Sequence, residues 1–529
     1  MPLARTRAVA LVGVQGHLVE VEADLGQGVP SYALVGLPDA SLSESRDRVR
    51  AAVLNSGQPW PSTRRITINL SPASLPKRGS SFDLAIAAAV LAAEAVVPPG
   101  VFDKAVLIGE LGLDGRVRSV RGVLPSVAAA ARAGIGSVVV PAANAAEAAL
   151  VPDMRVTGVR SLRELVALAC GEAAPVQDDD QPGRVLSLVP DPSEPGDDAD
   201  HDAVADVADV DLRDVLGQAT ARYALEVAAA GGHHLLMLGP PGAGKTMLAE
   251  RLPGLLPALD PSAALEVTAV HSVAGTLPET TPLVTRPPFQ APHHTASVAA
   301  IVGGGSSQVR PGAASLAHRG VLFLDEAPEF APAVLDALRQ PLESGEITVS
   351  RLVAQVRFPA RFQLVLAANP CPCGRAVGKG SDCRCSPMSK VRYLGRLSGP
   401  LLDRVDLSLE MLAASRADLR DDTAHVEDSA TVGVRVGEAR LRMAGRLAAT
   451  PWRVNAEVPG HALRRQWPLP WSVVAAAEQE LDRGGLTARG VDRVLRVAWT
   501  LADLAGRDRP DAGDVQVALQ FRGVRRWAA

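Results

Sequence analysis

LLMLGPPGAGKTMLAE, residues 235–250, decides how the rest of the chain is read. Its first four residues form a short apolar run of the kind buried in a parallel sheet. GPPGAGKT then supplies the spacing G-x-x-x-x-G-K-T through Gly239, Pro240, Pro241, Gly242, Ala243, Gly244, Lys245 and Thr246. Glycines let successive backbone N–H groups close around phosphate oxygens at a helix N-terminus, where the dipole favours an anion. Lys245 is expected to reach the β- and γ-phosphates, and Thr246 to offer its hydroxyl to magnesium. MLAE continues as the helix this context requires. The stretch predicts a site for ATP with Mg2+.

Two further strands complete that reading. GVLFLDEAPEF, residues 320–330, carries four apolar residues into Asp325 and Glu326. This puts two carboxylates at the C-terminal end of a strand, where ligands sit in open α/β sheets. Asp325 is expected to hold the magnesium and Glu326 to polarise the attacking water; a strand ending in solvated acids is the plainer reading. FQLVLAANP, residues 362–370, ends in Asn369, whose amide can sense a γ-phosphate and orient water. Three such strands describe an additional-strand P-loop ATPase rather than a Ras-like or kinase fold.

A chain of 529 residues is too long for one hydrophobic core and predicts two to four domains. Its net charge of −4 gives no global polyanion-binding signature, so nucleic-acid contact requires a local basic surface. Aromatics at 3% argue against base stacking as the main mode. The longest apolar run, DLAIAAAVLAAEAVV, is interrupted by Glu94 and is too short to span a bilayer. The N-terminus lacks the pattern of a signal peptide, and a cytoplasmic protein is expected. Five cysteines do not suggest a disulfide scaffold in a chain this long.

Residues 1–172 alternate strand and helix signals, with SESRDRVRAAVLNSG and SFDLAIAAAVLAAEAVV as helices and RRITINL as a strand. Residues 173–210 are acidic and rich in Pro and Gly, which predicts a disordered linker. Residues 211–412 are again α/β. From 430 to 529 the pattern is helical, with four amphipathic segments beginning at VGEARLRM, WSVVAAAE, VDRVLRVA and DAGDVQVA.

DVLGQATARYALEVAAAGGHHLLMLGPPGAGKT, QAPHHTAS, RPGAASLAHRGVLFLDE, LAANPCPCG and RLSGPLLDRVDL together resemble the magnesium-chelatase-like AAA+ ATPases of the YifB/ComM family over nearly the whole chain. The resemblance implies an AAA+ core with a C-terminal helical lid. It also implies that Arg404, in LLDRVDL, is an arginine finger reaching a neighbour's site, and that Arg489, in GGLTARGVDRVLRV, is the sensor arginine of the lid. A finger neutralises charge on the transferring phosphoryl group, so both point to a homo-oligomeric ring, a hexamer. For either residue an ordinary ion-paired arginine is the competing reading. GEITVSR and AQVRFPAR alternate as a β-hairpin around Leu352 and Val353; in this clade such a hairpin enters the pore, which would bring Arg351 to a phosphate backbone.

Cys371, Cys373, Cys383 and Cys385 follow Asn369 as C-x-C-x9-C-x-C. Four thiolates can complete a tetrahedral zinc shell, with Gly374, Gly378 and Gly380 letting the loop fold back. The pairs are tighter than the usual C-x-x-C, and free thiols are the other reading. At the N-terminus, PKRGSSFDLAIAAAVL and IGELGLDGRVRSVRGVLPSVAAAARAGIGSVVVP resemble the Lon-protease fold. Ser81 lies near that family's serine, but Leu124 and Pro125 stand where its lysine base would be. A serine without a base is a poor nucleophile at neutral pH. The domain is therefore expected to be a non-proteolytic adaptor, with Lys77 and Arg78 offering local charge.

These readings converge on an ATP-driven ring. As a DNA motor of the ComM type, it would grip DNA independently of sequence for strand separation or branch migration. Basic clusters at Arg464 with Arg465, Arg493 with Arg496, and FRGVRRW are the candidate contacts. The alternatives are a chelatase-like motor acting on a protein partner or assisting metal insertion, and a slow nucleotide switch.

Overall fold

In the computed structural model, the described residues are 3–173, 210–278, 282–305, 309–350, 355–376, 383–412 and 426–522. The expected acidic linker therefore lies almost wholly outside them. So do Arg351, Leu352, Val353, Gly378, Gly380 and all but the first two residues of FRGVRRW. The chain divides into two compact units. One is built on Met1–Ala203 with Thr268–Leu283 and Ser350–Arg357, the other on Val204–Val267, Val284–Val349 and Phe358–Ala529. No helix among the described residues is long and apolar enough to cross a membrane.

The first unit opens with β1 (Leu3–Val12), β2 (Gln15–Gly26), β3 (Ser31–Val35) and β4 (Arg65–Ser71), in the spatial order β1-β2-β4-β3. β1 pairs antiparallel with β2 in continuous register from Leu3 opposite Asp24 to Val12 opposite Gln15. Alternation makes this sheet one-sided: Val19, Val21, Ala23 and Leu25 of β2, and Ile66, Ile68 and Leu70 of β4, are buried, while the residues between them are not. The helix Asp83–Ala93 packs on β1 and β2 and is buried on almost every face, which is why its sequence carries no amphipathic stripe. β5 (Ala105–Leu107), β8 (Ser137–Pro141) and β9 (Arg155–Val159) form a separate parallel sheet, and β6 (Glu110–Leu111) pairs with β7 (Val117–Arg118).

Lys77 corrects an expectation. Its side chain is fully buried with Nζ on the Pro72 carbonyl, and burial lowers its pKa, so it supplies no surface charge. Leu124 and Pro125 are buried in the first turn of the helix Val123–Arg132.

The second unit is organised by a five-stranded parallel sheet of β10 (Leu235–Leu238), β11 (Phe289–Gln290), β12 (Val321–Leu324), β15 (Gln363–Ala368) and β16 (Leu407–Glu410), ordered β11-β12-β15-β10-β16. The strand ending at Asn369 is thus inserted between the phosphate-loop strand and the acidic strand. LLML, VLFL and QLVLAA are buried along their whole length, as expected for strands covered on both faces. β13 (Glu346–Ser350) and β14 (Gln355–Pro359) pair as the expected two-stranded ribbon.

The C-terminal region contains the four anticipated helices, Ser429–Leu447, Trp471–Asp482, Ala488–Leu504 and Ala512–Gln520. It also contains a short one, Gly460–Gln466, which sequence periodicity could not resolve in seven residues. A buried polar network joins this region to the sheet. His233 bonds Asp406 at 3.1 Å and Thr500 at 2.8 Å; Asn455 donates to Thr500 and Asp503; Arg446 forks onto Asp503 at 2.5 and 2.6 Å and lies over the Trp499 ring. Asp406 is buried, which disfavours its charge, yet Arg493, His233 and Arg496 hold its carboxyl well below the usual range. Removing one partner of a buried pair leaves the other charge uncompensated, at about 3–5 kcal/mol. Asp503→Ala is therefore expected to lower the unfolding temperature of this unit markedly in calorimetry, while Glu438→Ala, at the exposed pair with Arg442 on the helix Ser429–Leu447, shifts it little.

Candidate nucleotide site

The phosphate loop leaves the C-terminal end of β10. Gly239 is required by close approach: a Cβ there would stand 2.6 Å from the Met411 carbonyl oxygen. Gly242 and Gly244 adopt φ of 77° and 84°, and Gly244 caps the helix Lys245–Leu255. Lys245 is buried, and its Nζ donates to the carbonyls of Gly239 at 2.8 Å and Pro240 at 3.0 Å and to Asn369 Oδ1 at 3.1 Å. Burial lowers its pKa against the opposing pull of Asp325 and Glu326. The ammonium is thus largely desolvated and held by neutral oxygens that a phosphate could replace.

Thr246 Oγ1 donates to Asp325 Oδ2 at 2.7 Å. A hydroxyl and a carboxylate at that separation are hard oxygen donors suited to a magnesium ion. Glu326 sits at φ 49° and ψ 41°, a left-handed conformation uncommon for glutamate, and its N–H donates to Asp325 Oδ1 at 2.8 Å. Lys245, Thr246, Asp325, Glu326 and Asn369 thus gather at one edge of the sheet.

Arg404 and Arg489 do not join them. β16 runs parallel to β10, with Leu407 opposite Leu235 and Glu410 opposite Leu238. Arg404 precedes the start of β16, whereas the phosphate loop follows the end of β10. Strands of this length span about 13 Å. Arg404 shares a cavity of about 220 Å³ with Glu343, Asp403, Arg489, Asp492, Arg493 and Arg496. Its guanidinium pairs with Glu343 and donates to the Pro400 carbonyl, while burial and the nearby charges of Arg339, Arg493 and Arg489 lower its pKa. Of the basic clusters, Arg464 pairs with Asp492, Arg493 bonds Asp406 and the Arg404 carbonyl, and Arg496 donates to the Val458 carbonyl. All three are engaged within the chain.

The four cysteine Sγ atoms lie within 4.8 Å of one another, with Cys371–Cys373 at 3.3 Å, Cys371–Cys383 at 3.7 Å and Cys373–Cys383 at 3.8 Å. A tetrahedron with Zn–S bonds of 2.3 Å has edges of about 3.8 Å. The cluster therefore fits a soft cation. A backbone N–H from Arg375 and the neighbouring thiols draw the Cys373 thiol down to about 6.

Sequence reasoning missed three positions. His294 Nδ1 lies 3.6 Å from Glu326 Oε2, and the His293 ring leans on it at 4.1 Å between centroids. The adjacent pair in QAPHHTAS was the only available signal. Gln218, with φ 54°, donates through Nε2 to the Ala243 carbonyl in the phosphate loop at 3.4 Å and to the Leu412 carbonyl. Tyr393 is buried, its hydroxyl bonds the Asn369 backbone, and burial beside Glu329 and Glu326 pushes it up to about 12. If the 3.6 Å approach of His294 to Glu326 positions that carboxylate for water activation, His294→Ala is expected to cut ATP turnover roughly 100-fold through misplacement of the group. Nucleotide affinity should stay unchanged by equilibrium titration; undiminished turnover would show that Glu326 needs no anchor.

Residues 211–419 match the family profile described as magnesium chelatase, subunit ChlI; residues 21–144 match subunit ChlI of Mg-chelatase, and residues 426–522 its C-terminal region. An uncharacterised protein of Mycobacterium tuberculosis is 53% identical over 99% of this chain and 100% of its own length. The competence protein ComM of Haemophilus influenzae and the uncharacterised YifB of Escherichia coli are each 40% identical over 99% of this chain and 98% of their own length. Likeness to Lon is partial: the Lon protease of Trichlorobacter lovleyi is 26% identical over 30% of this chain. The chain belongs to the magnesium-chelatase-like AAA+ family, in the branch of YifB and ComM.

Proposed function

We propose that this protein hydrolyses ATP in a ring, a hexamer, whose neighbouring subunits complete each other's sites, and that the ring remodels DNA. One observation carries the reading: Lys245 and Arg404 lie at opposite edges of one sheet, so a single chain holds the two halves of an active site apart. In this reading the loop amides and Lys245 hold the triphosphate. Thr246 and Asp325 are the residues that would hold magnesium, which when bound neutralises charge on the β- and γ-phosphates. Glu326, with His294 nearby, takes a proton from the attacking water, and the Asn369 amide orients that water. Arg404 and Arg489 of the next subunit stabilise the charge on the transferring phosphoryl group. The C-terminal helices serve as the lid. The N-terminal unit is a non-proteolytic Lon-like module, supported by the apolar Leu124 and Pro125 where a base would be needed.

DNA as the polymer is favoured by the 40% identity to a competence protein across the full chain. The chelatase profiles support a second reading, a motor acting on a protein partner. Turnover measured with and without forked and four-way-junction DNA separates the two: stimulation with ATP-dependent strand movement is expected, and no DNA binding at low salt would favour the protein partner. Lys245→Ala and Glu326→Gln should abolish activity in both assays.

Assembly has its own test. Arg404→Ala is expected to reduce turnover by roughly 10³-fold with nucleotide affinity retained. Mixing Arg404→Ala with Lys245→Ala chains should restore part of the activity, because each supplies the half that the other lacks. Full turnover by an Arg404→Ala chain would rule out a shared site.

A further inference from the structure

We infer that the four-cysteine cluster is a metal-dependent brace for the phosphate loop, so that metal occupancy and nucleotide binding are thermodynamically coupled. The inference rests on the reading of the Lys245 loop as a nucleotide site. Three contacts connect the cluster to that loop. Along the chain, Asn369 stands two residues before Cys371 and accepts from Lys245 Nζ at 3.1 Å. Through space, Gly374, held at φ 73° in a turn closed by its N–H on the Cys371 carbonyl at 2.9 Å, lies against Pro241. A Cβ on Gly374 would stand 2.6 Å from Pro241 Cδ and 2.7 Å from Cγ, in a ring that cannot rotate away. Beyond Cys385, Ser386 caps the helix Pro387–Leu394 by accepting the Ser389 N–H, and Tyr393 of that helix returns its hydroxyl to the Asn369 backbone.

The cysteines therefore sit at both ends of a loop whose outer flanks meet again at Asn369. With the thiols gathered on one cation, the loop is closed, Gly374 is pressed to Pro241, and the Asn369 amide is fixed relative to Lys245. Without it, the Cys383–Cys385 end of the loop is tied to the Cys371–Cys373 end, among the described residues, by weak thiol contacts, and the wall behind Pro241 is less firmly held. Zinc suits the donor set by softness and by the sulfur separations. Because coupling is reciprocal, whatever the metal adds to nucleotide affinity the nucleotide adds to metal affinity.

The test uses the full-length chain. Metal content is measured by mass spectrometry after purification without added zinc, and one zinc per chain is expected. Dissociation constants for a fluorescent ATP analogue are then compared for wild type, Cys373→Ser with Cys385→Ser, and Gly374→Ala. The cysteine variant should lose the zinc and bind the analogue about ten-fold more weakly. Gly374→Ala should keep its zinc yet weaken binding similarly, separating the contact with Pro241 from folding of the loop. In wild type, saturating ATP should raise zinc affinity by the same factor in competition with a chromogenic chelator. Equal nucleotide affinity in zinc-loaded and zinc-free chains would overturn the coupling, as would a chain that takes up no zinc. If zinc-loaded wild type binds no nucleotide at all, the assignment of the Lys245 loop fails and the brace with it.

Discussion

The buried ammonium of Lys245 is the point on which the site converges. It has left water, and it is held by two carbonyls of its own loop and by one amide from a neighbouring strand. That third contact exists because β15 runs beside β10 and ends level with it, with Ala368 opposite Leu238. Insertion of β15 places the cation and the acids on separate, non-adjacent strands of one sheet.

The same parallel sheet sorts chemistry by edge. Its carboxyl edge collects Lys245, Thr246, Asp325, Glu326 and Asn369, and its amino edge collects arginines. His233 and Asp406 fasten the amino edge to the helices around Asn455, Thr500 and Asp503, and Arg493 is bonded into that fastening. The arginine cavity is therefore built on buried hydrogen bonds rather than on flexible surface side chains. Such rigidity fits the proposed role of these arginines toward a neighbouring subunit's nucleotide.

The site was legible in the sequence wherever the chemistry is local. GPPGAGKT carries its own geometry, since its glycines and its helix lie within a few residues, and the apolar runs before Asp325 and Asn369 announce strand ends. The additional strand was legible as well, because three apolar strands each ended in a polar group of matching use. His294 was not legible, since nothing in QAPHHTAS says which distant acid it will meet until β11 pairs with β12. Burial misled at Lys77, where a basic residue beside Arg78 reads as surface charge but its stem threads into the core. The helix Gly460–Gln466 escaped because seven residues hold too few turns to display a period.

Arg404 does not wait empty-handed: the Glu343 carboxylate already occupies its guanidinium. Glu343 is itself largely exposed, so the pair is screened by solvent and costs little to open. In the shared-site reading proposed above, a phosphoryl group from a neighbouring subunit would meet a guanidinium whose five donors are only partly engaged, and would share or replace the Glu343 carboxylate there.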